Sequence, residues 1–169
     1  MNLSEIHNGA RVLVDTNILI YARLGHSPQS HGLVTRCKGK AVQGVITPFI
    51  IAEFCHRRMT QEAKASGFAA SNPARALAAN PGLIRNLAVY SEDTRALLSG
   101  ELELASIHPE DFSEALLLQK MHGLLTIDSI NLAVAKRLGI CEIATADAAF
   151  DNVPGVIIYK PEDINLPGH

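Results

Sequence analysis

A chain of 169 residues, 47% hydrophobic and 19% charged, has the size and balance of one domain with a real core. Its net charge of −2 names no polyanionic partner and excludes none, because a local basic stripe binds phosphate on an acidic protein. Three scattered cysteines (Cys37, Cys55, Cys141), no signal-peptide pattern in MNLSEIHNGARVLVD and no apolar run of membrane-spanning length argue against a disulfide framework, secretion and a bilayer span. The expectation is a cytoplasmic protein.

Residues 1–10 are polar and read as a loose lead-in or short arm. RVLVD, residues 11–15, is short, β-branched and closed by a carboxylate, which predicts a buried strand. Thr16–Leu24 predicts a helix, broken by Gly25-His26-Ser27-Pro28, and residues 29–38 predict another, ended by Gly39. Residues 44–47 predict a second strand. Thr47 before Pro48 is a helix start, a hydroxyl cap followed by proline at the first helical position. That helix is expected over Pro48–Ala65, with Gly67 beyond it.

Residues 66–100 read as a helical insert, with a short helix at Pro73–Ala79 and one longer helix over 81–98. A third strand is expected at 102–107, an amphipathic helix at 109–121 ended by Gly123, and a further helix at 126–138 ended by Gly139. Residues 142–145 and 155–159 complete the strands. Residues 161–169 form a tail whose end, LPGH, is expected to fray. Strands alternating with helices imply an α/β fold in a single domain over 1–169, with a mostly parallel sheet of roughly five strands covered on both faces. Ligands of such open sheets bind outside the carboxyl ends of the strands.

Four acids each stand alone among apolar neighbours: Asp15 in RVLVD, Glu53 in ITPFIIAEF, Asp128 in LLTIDSINLAVA and Asp147 in EIATADAAF. A carboxylate in such company is costly unless its charge is compensated. No Lys or Arg lies within three residues of Glu53, Asp128 or Asp147. Each acid also has an ordinary explanation. Asp15 fits a helix cap, Glu53 can pair with Arg57 one turn on, Asp128 suits a helix's first turn, and Asp147 can cap a turn. Taken together, two strand-end acids and two helix acids fit one pocket at the carboxyl edge. Clustered carboxylates repel one another and raise their own pKa values, and a divalent cation offsets this.

The segments VDTNILIY, ITPFIIAEF, LLTIDSINLAVAKRLG and IATADAAFD, in that order, resemble the PIN-domain nucleases. They are most similar to the compact prokaryotic ribonucleases that act as toxins of toxin–antitoxin pairs, the VapC type. The resemblance spans roughly residues 11–159 and implies a PIN-like three-layer α/β/α sandwich. It implies Asp15, Glu53, Asp128 and Asp147 as catalytic ligands of Mg2+ or Mn2+, with Asn17, Thr145 and Asp151 accessory. It implies hydrolysis of RNA phosphodiesters to 3′-hydroxyl and 5′-phosphate ends, a homodimer, and a possible antitoxin protein. The stretch between Glu53 and Asp128 is longer than in compact toxins.

Arg57 and Arg58 beside Glu53, and Arg36 and Lys38 before the second strand, are candidates for RNA backbone contacts. Asp147 and Asp151 form D-x-x-x-D, as in haloacid dehalogenase phosphatases, but Asn17 replaces the second acid that family needs after its first strand. The seven histidines show no zinc spacing and no serine sits in G-x-S-x-G. The rival reading is a catalytically silent PIN-fold protein that binds RNA or serves as a scaffold. The apolar residues of 81–98 and 109–121 exceed what one sheet face absorbs, which predicts a self-association surface.

Overall fold

The computed structural model describes residues 1–68, 72–100 and 102–166; the frayed end expected at 167–169 and residues 69–71 of the insert lie outside the described residues. Five short strands, β1 (Arg11–Val14), β2 (Gln43–Ile46), β3 (Glu103–Leu104), β4 (Glu142–Ala144) and β5 (Ile157–Tyr159), form one parallel sheet in the order β3-β2-β1-β4-β5. Val12, Leu13, Val14, Val45, Ile46, Ile143 and Ala144 are all buried. Such near-continuous apolar runs are what a sheet covered on both faces requires.

The helices are α1 (Thr16–Leu24), α2 (Pro28–Lys38), α3 (Pro48–Ala65), α4 (Pro73–Ala79), α5 (Pro81–Arg85), α6 (Val89–Leu98), α7 (Pro109–His122) and α8 (Thr126–Arg137). Helix α1 packs on α2 and α3, α3 on α4 and α6, and α7 on α8. Through α1–α6 the chain steps from β1 out to β3; through α7 and α8 it crosses back to β4 beside β1. Right-handed crossovers place these two helix groups on opposite faces, giving an α/β/α sandwich. The strand order reverses between β1 and β4, so the crevice beyond their carboxyl ends is the binding position of an open sheet.

Local chemistry explains the boundaries. The Ser27 hydroxyl accepts from Ser30 N at 3.0 Å with Pro28 in the first turn, and Thr47 does the same for α3, accepting from Ile50 N at 3.3 Å before Pro48. Gly25 and Gly123, both at φ 70°, end α1 and α7 in the left-handed conformation. Gly44 in β2 is required for another reason: a Cβ there would strike Leu102 and would sit 2.7 Å from the Cys37 sulfur.

Three segments depart from the sequence expectation. Residues 1–10 are no loose lead-in. A 3-10 turn at Leu3–Glu5, held by a reciprocal Asn2–Glu5 capping box, buries Leu3 and Ile6, and Asn2 bridges Lys160 beside β5. The part of the tail before LPGH, for which no fraying was expected, is anchored: Asp163 accepts from Ser27 Oγ at 2.5 Å and from Gln29 N at 2.8 Å. The third strand has two residues rather than six. The helix expected over 81–98 is two helices: Glu62 of α3 accepts from the backbone N–H groups of Ala88, Val89 and Tyr90 at 2.8–3.1 Å and so creates a new helix start.

The insert carries its own small apolar cluster, Ala63, Leu77 and Leu87, with Met59, Leu83, Ile84 and Tyr90 packed around it. It is tied to the body by Asp93, whose side chain is fully buried and accepts from Arg23 of α1 at 2.6 Å and Arg58 of α3 at 2.7 Å.

Candidate active site

Asp15 leaves β1 at the sheet's carboxyl edge and caps α1. Its Oδ1 accepts from Thr16 N at 2.7 Å, and its Oδ2 accepts from Asn17 Nδ2 at 2.5 Å and Thr145 Oγ1 at 2.6 Å. Thr145 follows β4 directly, so this bond links the two strands that flank the crevice. Asn17 Nδ2 also reaches Thr145 Oγ1 at 3.2 Å, while Asn17 Oδ1 accepts from Ala146 N at 2.9 Å. Thr145 in turn accepts from Asp147 N at 3.0 Å. Two neutral side chains thus fix one acid and orient the backbone leading to another.

Glu53 lies in the second turn of α3. Its Oε2 accepts from the buried Thr16 hydroxyl at 3.1 Å, and its Oε1 faces Arg57 Nη1 at 3.4 Å. Sequence reasoning passed over Thr16, which stands as a neutral residue inside a capping motif and carries no charge to mark it. It also left unused the partner of Asn131, three residues after Asp128: Thr47 Oγ1 donates to Asn131 Oδ1 at 2.6 Å in a fully buried bond. That bond ties the early part of α8, and with it Asp128, to the beginning of α3.

The electrostatics join all four acids. Burial, then the charges of Asp15, Asp147 and Glu53, push Asp128 up to about 6 from an ordinary 3.8. Asp15 is also raised, by burial first and further by the Glu53 charge, although bonds from Thr145, Thr16 and Asn17 pull the other way. Asp147 is exposed, and its Oδ1 accepts from Ala149 N at 3.0 Å.

The acids act on one another at electrostatic range without being drawn tight. Among the described residues no three His, Cys, Asp or Glu side chains form a ready-made metal-ion cage. The donor set still suits a hard cation. It is all oxygen, and Mg2+ keeps several waters and takes only one or two carboxylates, so an enclosing cage is not what it needs.

The remaining candidates fall elsewhere. Asp151 pairs with Lys160 at 2.7 Å. Arg58 is buried and directed to Asp93 and to Gln61 Oε1 at 2.9 Å, so it braces helices instead of facing solvent. The Arg36 guanidinium holds the N-terminal arm through Ile6 O and Asn8 Oδ1. Lys38 is at the end of α2, lining a cleft with Arg23, His31 and Asp93. Of the four basic candidates, Arg57 is the one in contact with a site acid.

A family model described as PIN domain matches residues 12–156. Among solved structures, the chain is similar to a toxin–antitoxin complex from Klebsiella pneumoniae, at 22% identity and a TM-score of 0.58, over 86% of this chain and 95% of that one. It is similar to VapBC2 from Rickettsia felis bound to a promoter DNA fragment, at 14% identity and 0.56, over 90% and 99%. It is also similar to Mycobacterium tuberculosis VapC20, described as a toxin that cleaves the sarcin-ricin loop, at 14% identity and 0.54, over 85% and 95%. No curated protein matches the chain significantly.

Proposed function

The chain belongs to the PIN-domain family, and from that premise we propose that it is a metal-dependent endoribonuclease, the toxin of a toxin–antitoxin pair. One observation carries the chemistry: Asp128 is raised by burial and by three other carboxylates at the carboxyl edge, with no Lys or Arg among the causes. Such a cluster is stabilised by a divalent cation. Asp15, Glu53, Asp128 and Asp147 would hold Mg2+ or Mn2+.

When bound, the cation makes water more acidic and offsets charge on the phosphate under attack. The chain's own groups prepare the site. Thr145 and Asn17 lock the rotamer of Asp15 through Oδ2. Thr16 holds Oε2 of Glu53 toward α1. Asp128 and Asp147 Oδ2 have no hydrogen-bond donor among the described residues, which would leave their lone pairs for the cation. By the family resemblance, the products carry 3′-hydroxyl and 5′-phosphate ends. Arg57, in contact with Glu53, would be the side chain to meet a phosphate of the RNA backbone. Asp151 remains an accessory acid at most, through its pair with Lys160.

The partners follow from surface and family together. Helix α7 buries Ala115 and Leu118 but exposes Phe112, Leu116, Leu117 and Met121, an apolar face that suits a homodimer. An antitoxin would cover the acidic pocket and insert a basic side chain among the carboxylates. No described helix is long and apolar enough to cross a membrane.

Incubating the protein with single-stranded RNA, with Mg2+ or Mn2+ and with EDTA, tests the reading. Metal-dependent internal cuts, lost in Asp128→Asn, are expected. RNA binding without any cut under any divalent ion would leave a silent RNA-binding domain instead.

A further inference from the structure

Both oxygens of Glu53 are already engaged, and a metal ion arriving at Oε1 would compete with the cation that is there. Oε2 takes the Thr16 hydroxyl at 3.1 Å, and Oε1 takes Arg57 at 3.4 Å. The two bonds differ in kind. Thr16 is buried and also reaches Ile50 O, so it is fixed; Glu53 and Arg57 are about 40% exposed, and their contact is long and one-pronged. An exposed pair one helical turn apart is weak.

Arg57 has no other side-chain partner among the described residues, unlike Arg23 and Arg58 on Asp93 or Arg36 on the N-terminal arm. It is also the one cation in contact with any of the four site acids among the described residues.

We infer that Arg57 is an exchangeable counterion. It neutralises Glu53 in the metal-free protein, is displaced when a divalent cation takes Oε1, and is thereby released to bind an RNA phosphate. The inference rests on the nuclease reading above and deepens it by making the order of binding a property of this one side chain. A guanidinium suits both partners, since carboxylate and phosphate present similar oxygen pairs to it. Linkage then requires that metal strengthen RNA binding and RNA strengthen metal binding by the same factor.

The experiment compares the parent with Arg57→Gln, using Mn2+ alone in calorimetry and an end-labelled short RNA in anisotropy read before cleavage. The variant is expected to bind Mn2+ about twofold to fivefold more tightly without RNA, the effect of removing one weak competing pair. It is expected to bind RNA less tightly than the parent with Mn2+ present, and to lose less affinity without it, because Arg57 is then partly held by Glu53. Arg57→Lys should restore part of the Mn2+-dependent gain in RNA affinity.

Equal loss of RNA affinity with and without Mn2+ would mean a fixed phosphate contact and overturn the exchange. Unchanged Mn2+ affinity would overturn it as well. A parent that binds no Mn2+ at all would instead defeat the nuclease reading, and the exchange with it, so the two failures are told apart.

Discussion

At the scale of single residues, the site is a contrast between a locked acid and a loaded one. Asp15 is both cap and candidate ligand, and Asn keeps only part of its bonding. Asp15→Asn should therefore cost about 1–2 kcal/mol of metal-free stability, since an amide presents N–H groups to donors that need an acceptor. Asp128 is raised like Asp15, but no hydrogen bond is among the causes that offset its burial. Its folded-state pKa of about 6 lies above the ordinary 3.8, so the folded protein holds this proton more tightly than the unfolded chain. Stability from this group is greatest at low pH and falls as pH rises from about 4 to about 6. Asp128→Asn, which mimics the protonated acid, should match the parent near pH 4 and exceed it near pH 7 in urea midpoints without metal. Mn2+ affinity of the parent should rise over the same window as the proton leaves. The acids were legible in the sequence because an isolated charge in an apolar run is visible. Thr16 and the Thr47–Asn131 bond were not, because a neutral polar residue declares its partner only once the chain is folded.

At the scale of elements, local signals set most boundaries and tertiary contacts set the exceptions. Thr47-Pro48 and Gly123 mark ends that any peptide would recognise. The break at residues 86–88 depends on Glu62, more than twenty residues upstream, and no periodicity could have announced it. Third-strand length failed likewise, since Glu103 and Leu104 pair in register with β2 and Ala105 adds one last bond, to Ile46 O at 2.9 Å, before the chain leaves the sheet. The clearest energetic lever here is Asp93. Burial raises its pKa, but Arg23 and Arg58 outweigh that and hold it low. Its stabilising charge is thus present above the usual carboxylate range and lost as pH falls through the lowered value, opposite in sign to Asp128. Asp93→Ala strands the buried Arg58 and should cost about 3–5 kcal/mol in chemical denaturation. A smaller loss would mean that Arg58 finds water or Gln61 sufficient.

At the scale of the whole molecule, the fold class was legible because strands alternating with helices imply a parallel sheet covered on both faces, whereas the strand order β3-β2-β1-β4-β5 is read only from the folded chain. The surplus of apolar residues divided in two. Leu83, Ile84 and Leu87 turned inward into the insert's own cluster, while Phe112, Leu116 and Leu117 on α7 stayed in solvent. The second group carries the assembly prediction. Light scattering should give about twice the 18.2 kDa chain mass, and Leu116→Glu should return it to one chain with unchanged circular dichroism. A parent already at one chain mass would assign that face to another partner. The first group has a different consequence. Two apolar clusters that share α3 but few side chains open with different free energies. Amide protons of α4–α6 should therefore exchange with deuterium well ahead of those in β1, β2 and β4, through an opening that Asp93→Ala accelerates. The helix that carries Glu53 would then run from a slow-exchanging first half to a fast-exchanging second half, a gradient measurable peptide by peptide along a single element.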